Sequence, residues 1–383
     1  MKQLYWRPRG ISRSVLVLLA LISLLGLGVV ELVQTRQKQP HFTEKLRAAQ
    51  LALEGMEIIK AERLRKNPVM DPEVDPAQSG LIGMLMTDVT TATAPLSAKQ
   101  TSVNPNFAAV LLEMLLEAGV RQGDVVAVGC SGSFPSLNVC AYAAVRTLKL
   151  RPIIISSATA SQFGANDPNL LWIDMEHLLY EKDRQNFPFR SVAVSPGGVE
   201  DRAIGISQAG RQHIQAAIER NGLKPLKPRD FKDSIDKRMA IYAQYAGDAP
   251  IKAYINVGAG TVSVGTTLGK RMFRPGLSLP RAAAPRYIDS VMSRFLDDGV
   301  PVIHLVHVER LAARYGMPVQ PTIMPVPGEG AVFYREERNR WLAVGTLVVI
   351  IGSLYLFVRS QLGYRILQTN HKQQEDLVTE PMV

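Results

Sequence analysis

The chain has 383 residues, enough for one large domain or two ordinary ones, with 46% apolar and 20% charged residues. Its formal net charge of +10 suits an anionic partner or a membrane surface, yet no basic helix and no basic–aromatic interleaving marks a nucleic-acid reader. With only two cysteines, Cys130 and Cys140, neither a disulfide framework nor a cysteine metal site is implied.

In chain order, a basic tail (1–14) leads into Val15–Val33, an apolar run whose one charge is Glu31. It is long enough to cross a bilayer as a helix, and no A-x-A-like site follows it, so it reads as a retained anchor. Residues 43–67 place Leu46, Ala49, Leu53, Met56 and Ile59 on one helical stripe, with Thr43 as cap, and read as a stalk helix. The Pro- and Asp-rich stretch 68–80 reads as a linker.

An α/β domain is expected over 81–330. Strands are expected at Leu81–Met86, Val125–Gly129, Pro152–Ser156, Ser191–Ser195, Ala253–Gly258 and Val302–Val306. Helices are expected at Pro105–Ala118, Ser136–Leu148, Pro168–Glu181 (capped by Asp167), Ser207–Asn221, Arg229–Tyr245 and Pro285–Leu296. Short apolar strands alternating with amphipathic helices indicate a mostly parallel, Rossmann-like sheet. Cys130 would end a strand and Cys140 sit inside the next helix, too far apart to bridge.

Trp341–Val358 carries no charge and is apolar all round, which makes it a second transmembrane helix before a tail at 359–383. Lys and Arg are equally numerous on the tails and on the inner flanks. The dense basic N-terminal tail decides the orientation: both tails cytoplasmic, the α/β domain extracytoplasmic.

Three strand ends run into small-residue turns, "GCSGS" (129–133), "SPGG" (195–198) and "NVGAG" (256–260), and a fourth, "SSATASQFGANDP" (156–168), is rich in Ser, Thr and Asn. In a parallel sheet these loops share the carboxyl edge, where ligands of open α/β sheets bind. A tight strand-to-helix turn also favours Gly and Ser on conformational grounds alone. There is no G-x-x-x-x-G-K-[ST], no G-x-G-x-x-G and no HExxH, so neither a nucleotide cofactor nor a metal is expected.

"GCSGS" is a loose nucleophile elbow with Ser131 in the strained position, Gly132 and Ser133 offering N–H groups, Asp201 or Asp236 as acid, and His304 or His307 as base. His177 reads as a solvated helix residue. The polar segment Thr87–Phe107 is a long connection, and its Lys99 with neighbouring hydroxyls suits carboxylate or phosphate.

The stretches "TTATAPLSAKQTSVNPNFAAVLLEMLLEAGVRQGDVVAVGCSGSFPSLN", "PIIISSATASQFGANDPNLLWIDMEHLLYEK" and "INVGAGTVSVG" resemble the poly-γ-glutamate system protein family over roughly residues 43–330. The resemblance implies a bacterial inner-membrane protein that works in synthesis, export or anchoring of poly-γ-glutamate. Its partners would be the poly-γ-glutamate synthase ligase, that enzyme's membrane subunit, the anionic polymer and the lipid bilayer. It brings no defined active site and no cofactor. The matching positions are Thr90, Thr91, Lys99, Thr101, Asn104, Asn106, Ser131, Gly132, Ser133, Ser156, Ser157, Gly164, Asn166, Asn256, Gly258 and Gly260; all but Gly164 are expected at the site, Ser131 as the candidate nucleophile and the others as ligand-binding residues. Cys130 departs from the bulkier residue expected there, so its thiol is not needed for chemistry. Two functions follow: an accessory subunit that holds the polymer, or a hydrolase or acyl-transferase acting through Ser131.

Overall fold

The structure, a computed structural model, describes residues 13–280 and 288–359 and divides into two units. One is residues 39–333, and the other combines the two chain ends. The expected tails lie almost wholly outside the described residues, as does the start of the helix expected from Pro285.

Helix α1 (Arg13–Leu32) and strand β1 (Gln34–Lys38) precede helix α2 (Phe42–Lys66). Next come β2 (Thr90–Ala92), α3 (Leu96–Ser102) and α4 (Phe107–Glu117). The alternation that follows is β3 (Val125–Ser131), α5 (Pro135–Thr147), β4 (Arg151–Ser157), the short strands β5 (Ala160–Ser161), β6 (Asn166–Asp167) and β7 (Leu170–Leu171), α6 (Trp172–Lys182) and β8 (Ala193–Ser195). Then come α7 (Gln208–Arg220), α8 (Phe231–Ala246), β9 (Ile251–Val257), α9 (Thr261–Val264), α10 (Thr267–Met272), β10 (Gly276–Ser278), α11 (Val291–Asp297), β11 (Val302–Leu305) and α12 (Val308–Arg314). Strand β12 (Tyr334–Arg338) and helix α13 (Arg340–Arg359) end the described chain.

The larger unit is α/β, built on a mixed six-stranded sheet of order β10-β11-β9-β3-β4-β8. β10 is antiparallel to β11, and every other neighbouring pair is parallel. One face carries Val125, Ala127, Ile153, Ile155, Tyr254 and Val302 against Tyr242 of α8 and Phe295 of α11. The other carries Cys130 and Ser156 toward Tyr142 of α5 and Trp172 of α6. Both faces are covered, which is why the strands read as continuous apolar runs. Ser207 and Asp230 cap α7 and α8 through side-chain oxygens, the placement their sequence positions favour.

Several expectations are corrected. Residues 43–67 are no stalk: α2 buries Ala48, Ala49, Leu51, Ala52, Met56 and Ile59 and packs on α4, α5 and α6. Its cap position is His41, without a side-chain bond, so Thr43 does not cap it. The stretch 68–80 is folded onto this layer, where buried Asp75 accepts from Ser79 N, Ser79 Oγ and Gly80 N. Leu81–Met86 forms no strand because a side chain ties it down: Asn166 accepts from Met84 N at 2.9 Å and donates to Met84 O at 2.7 Å. The long connection Thr87–Phe107 contains β2 and α3, and β2 pairs in parallel with β5. Helix α6 starts at Trp172, four residues past Pro168, because Asp167 pairs with Leu170 in the β6–β7 ladder and the Asp174 carboxylate accepts from Leu171 N.

In the smaller unit, β1 and β12 pair antiparallel and α1 packs along α13. Glu31 and Arg338 form an ion pair, and a Cβ on Gly26 would lie 2.4 Å from Thr346 Cγ2. Leu24, Leu25, Leu27, Val348, Val349 and Ile351 remain exposed. Among the described residues, no helix is long and apolar enough to cross a membrane.

Candidate functional site

The sheet order fixes where a crevice must open. The chain moves from β3 to β4 to β8 in one direction, then returns to the other side of β3 as β9 and continues to β11. The loops after β3 and β9 therefore leave the sheet toward opposite faces, and the crevice between them is the topological switch point at which ligands bind in open α/β sheets. "GCSGS" and "NVGAG" stand on its two sides. Gly258, at φ +89°, faces Ser131, and a Cβ on Gly258 would lie 3.2 Å from Ser131 Cβ. Ser131 and Gly258 thus meet across the switch point, with Gly132 and Ser133 in the same turn after β3 and Gly260 in the loop after β9.

Close packing holds the rim. A Cβ on Gly132 would meet Thr159 O at 2.8 Å, and one on Gly164 would meet Gly132 O at 2.8 Å, while Ala165 N donates to Gly132 O. These two glycines let the β3 and β4 loops press together. The Ser131 hydroxyl accepts from Ser133 N at 3.2 Å, and Asn138 Nδ2 donates to Ser131 O at 2.9 Å. Asn138 Oδ1, Thr159 Oγ1 and Asn104 Nδ2 are buried and without a partner among the described residues. Half-buried hydroxyls continue along the edge at Thr91, Ser133, Ser157, Thr261 and Ser263.

Other expected site residues act within the fold. Asn256 is buried, donates to Gly258 O and His304 Nδ1, and accepts from Tyr254 OH. It clamps the β9 loop. Asn166 clamps Met84 and donates to Thr90 Oγ1. Asn106 fixes residues 326–328 through Val326 O and Gly328 N, and Asn104 Oδ1 accepts from Asn106 N. Thr101 accepts from Gln320 N. Thr91 donates to Ala160 O. Ser156 lies under the sheet with Ser191 and Trp172 Nε1. Lys99 is buried beneath the Ser133–Phe134 turn.

Three of the proposed acid and base residues, Asp201, Asp236 and His304, are engaged elsewhere. Asp201 pairs with Arg238 Nε at 2.6 Å, and exposed Asp236 pairs with half-buried Arg294. His304 is buried in β11, and burial with His307 nearby pushes its pKa down to about 3, so the ring is neutral. His177 Nδ1 accepts from Arg190. None of these side chains hydrogen-bonds to the Ser131 hydroxyl among the described residues.

Sequence reasoning missed one buried network on the same edge. Arg238 donates to Asp201, Ser195 Oγ and Ser157 Oγ, tying the β4 and β8 ends to α8. Asp201 sits at φ +59° in a loop that also holds Glu200, Ala203, Gly197, Gly198 and Gly205 at positive φ. An arginine on an amphipathic helix gives no sign that it points inward. The run "SPGGVEDRAIG" was the available signal, since such backbone needs glycine or a side chain held by the fold. Compared with protein-family models, curated proteins and solved structures, the chain matches none.

Proposed function

We propose that this chain is a membrane-anchored accessory component of a bacterial poly-γ-glutamate synthesis and export system, and that its α/β unit holds the polymer's carboxylates in the switch-point crevice. The observation that carries this reading is the opposition of the "GCSGS" turn to Gly258, which leaves hydroxyls and a close-approach backbone surface along one edge. Hydroxyl and N–H donors suit carboxylate oxygens. The net positive charge and the family resemblance support the same ligand class.

The apolar segments 15–33 and 341–358 serve as paired anchors in the inner membrane, with the tails cytoplasmic and the α/β unit outside. Exposed leucine, valine and isoleucine on α1 and α13 support that role. The synthase ligase and its membrane subunit are the partners.

The test is retention of poly-γ-glutamate on the immobilised full-length chain in detergent. Retention falls as salt rises and is lost in Ser131→Tyr, whose ring fills the crevice. Wild-type retention by Ser131→Tyr overturns the site. Deleting 341–358 is expected to abolish co-purification with the synthase, and intact co-purification overturns docking through the anchors. A reporter fused after Val383 reads the sidedness of the tails.

A further inference from the structure

Two buried lysines of the larger unit differ in one respect. Lys45 is met by the Glu113 carboxylate at 2.5 Å. Lys99 is 2% exposed and has no carboxylate partner among the described residues. Its Nζ donates to the Ser133 carbonyl and to Ser161 Oγ at 2.9 Å, and lies 4.0 Å from the centre of the Phe134 ring. Burying an ammonium among neutral groups is costly, so such a site favours the free amine. Burial pushes Lys99 from 10.5 down to about 7. No other cause contributes to that shift.

A free amine within hydrogen-bond reach of a serine hydroxyl has the geometry of a general base beside its nucleophile. The Ser161 backbone N–H donates to Ser133 Oγ at 3.1 Å, which fixes the second serine beside the first. The Ser133 hydroxyl proton is then free to point at a substrate oxygen. Ser161 is 8% exposed, and Ser133 and Phe134 above it are half-buried.

We propose that Lys99, Ser161 and Ser133 form an acyl-transfer centre for an ester or amide carbonyl. Ser161 Oγ bonds to the carbonyl carbon while its proton passes to Lys99 Nζ, and the C=O electron pair moves onto the oxygen, which accepts from the Ser133 hydroxyl. The tetrahedral species collapses. The bond to the leaving oxygen or nitrogen breaks, that atom takes the proton from Lys99, and the acyl group remains on Ser161 as an ester. Water, giving its proton to Lys99, then attacks the ester and releases the acid, and the Lys99 proton returns to Ser161. This activity requires only a reactive carbonyl and does not depend on the polymer-holding role; retention on beads reads that role, and a covalent mass adduct reads this one.

The experiment treats the full-length chain in detergent with a fluorophosphonate probe, whose phosphorus bonds to a nucleophilic serine with loss of fluoride. Intact mass and peptide mapping are expected to show one adduct, on Ser161, forming faster as pH rises through about 7. Lys99→Met is expected to slow it by about 100-fold or more. Lys99→Arg keeps the charge but not the base, and is expected to be equally slow. An adduct mapped to Ser131 or another serine, labelling no faster than in the urea-unfolded chain, or wild-type labelling in Lys99→Met overturns the proposal. If the variants unfold, the wild-type profile decides alone: a rate that is flat between pH 6 and pH 8 overturns it.

Discussion

Gly258 stands against Ser131 across the switch point, with 3.2 Å between Ser131 Cβ and the place where a Gly258 side chain would begin. Its φ of +89° is one that L side chains rarely adopt, so position and conformation both call for glycine. Gly258→Ala is expected to cost about 1–3 kcal/mol, read as a lower urea midpoint with unchanged slope.

The Arg238–Asp201 pair is buried on both sides and joined by Ser157 and Ser195. Removing one partner leaves a buried charge unanswered. Arg238→Met is expected to destabilise the larger unit by about 3–5 kcal/mol in equilibrium unfolding. Arg238→Lys should recover part of this, because it keeps the charge but loses the fork that reaches both serines.

Lys99 gives a stability that rises with pH. Its folded pKa, about 7, lies below its ordinary value of 10.5. Between those values the unfolded chain holds the proton and the folded chain does not, so raising pH favours folding. From about pH 7 to about pH 9 the gain is on the order of 2 kcal/mol. Lys99→Met should remove this slope, as measured by urea unfolding at each pH.

His304 acts at the acid end. Burial lowers its folded pKa to about 3 from 6.5, so the unfolded chain binds the proton first as pH falls. Stability is full above the unfolded value and is lost as pH drops from about 6.5 toward 3, by about 2 kcal/mol at about pH 5. Nitrogen shifts of the His304 ring should stay those of the neutral form from about pH 8 to about pH 5.

In the smaller unit, Gly26 lets α1 meet α13 at Thr346. Cysteines at both positions should crosslink within one chain under mild oxidant, seen as a mobility change that a reductant reverses. The native thiols Cys130 and Cys140 are both buried and should not interfere.

Apolar runs of β3, β4, β9 and β11 and the amphipathic spacing of α5, α7 and α8 were legible because both signals arise within one element. The three small-residue turns were legible for the same reason, and so was their shared edge, which alternation alone implies. Legibility stopped where a side chain from elsewhere decides. Met84 would continue an apolar strand, but Asn166 takes its backbone groups. Helix α2 looked like a free stalk because its stripe does not reveal that α4 and α5 receive it.

The sequence by itself determined the alternating α/β pattern, the glycine- and serine-rich strand ends and the two apolar terminal segments, since each depends on neighbours in the chain. Tertiary structure decided the strand order, and with it which two turns flank the crevice. It also turned Asn106, Asn166 and Asn256 into clamps and set Lys99 beside Ser161 with no carboxylate partner among the described residues. Those outcomes depend on groups far apart in sequence, whose desolvation and hydrogen bonding exist only once the sheet has closed around them.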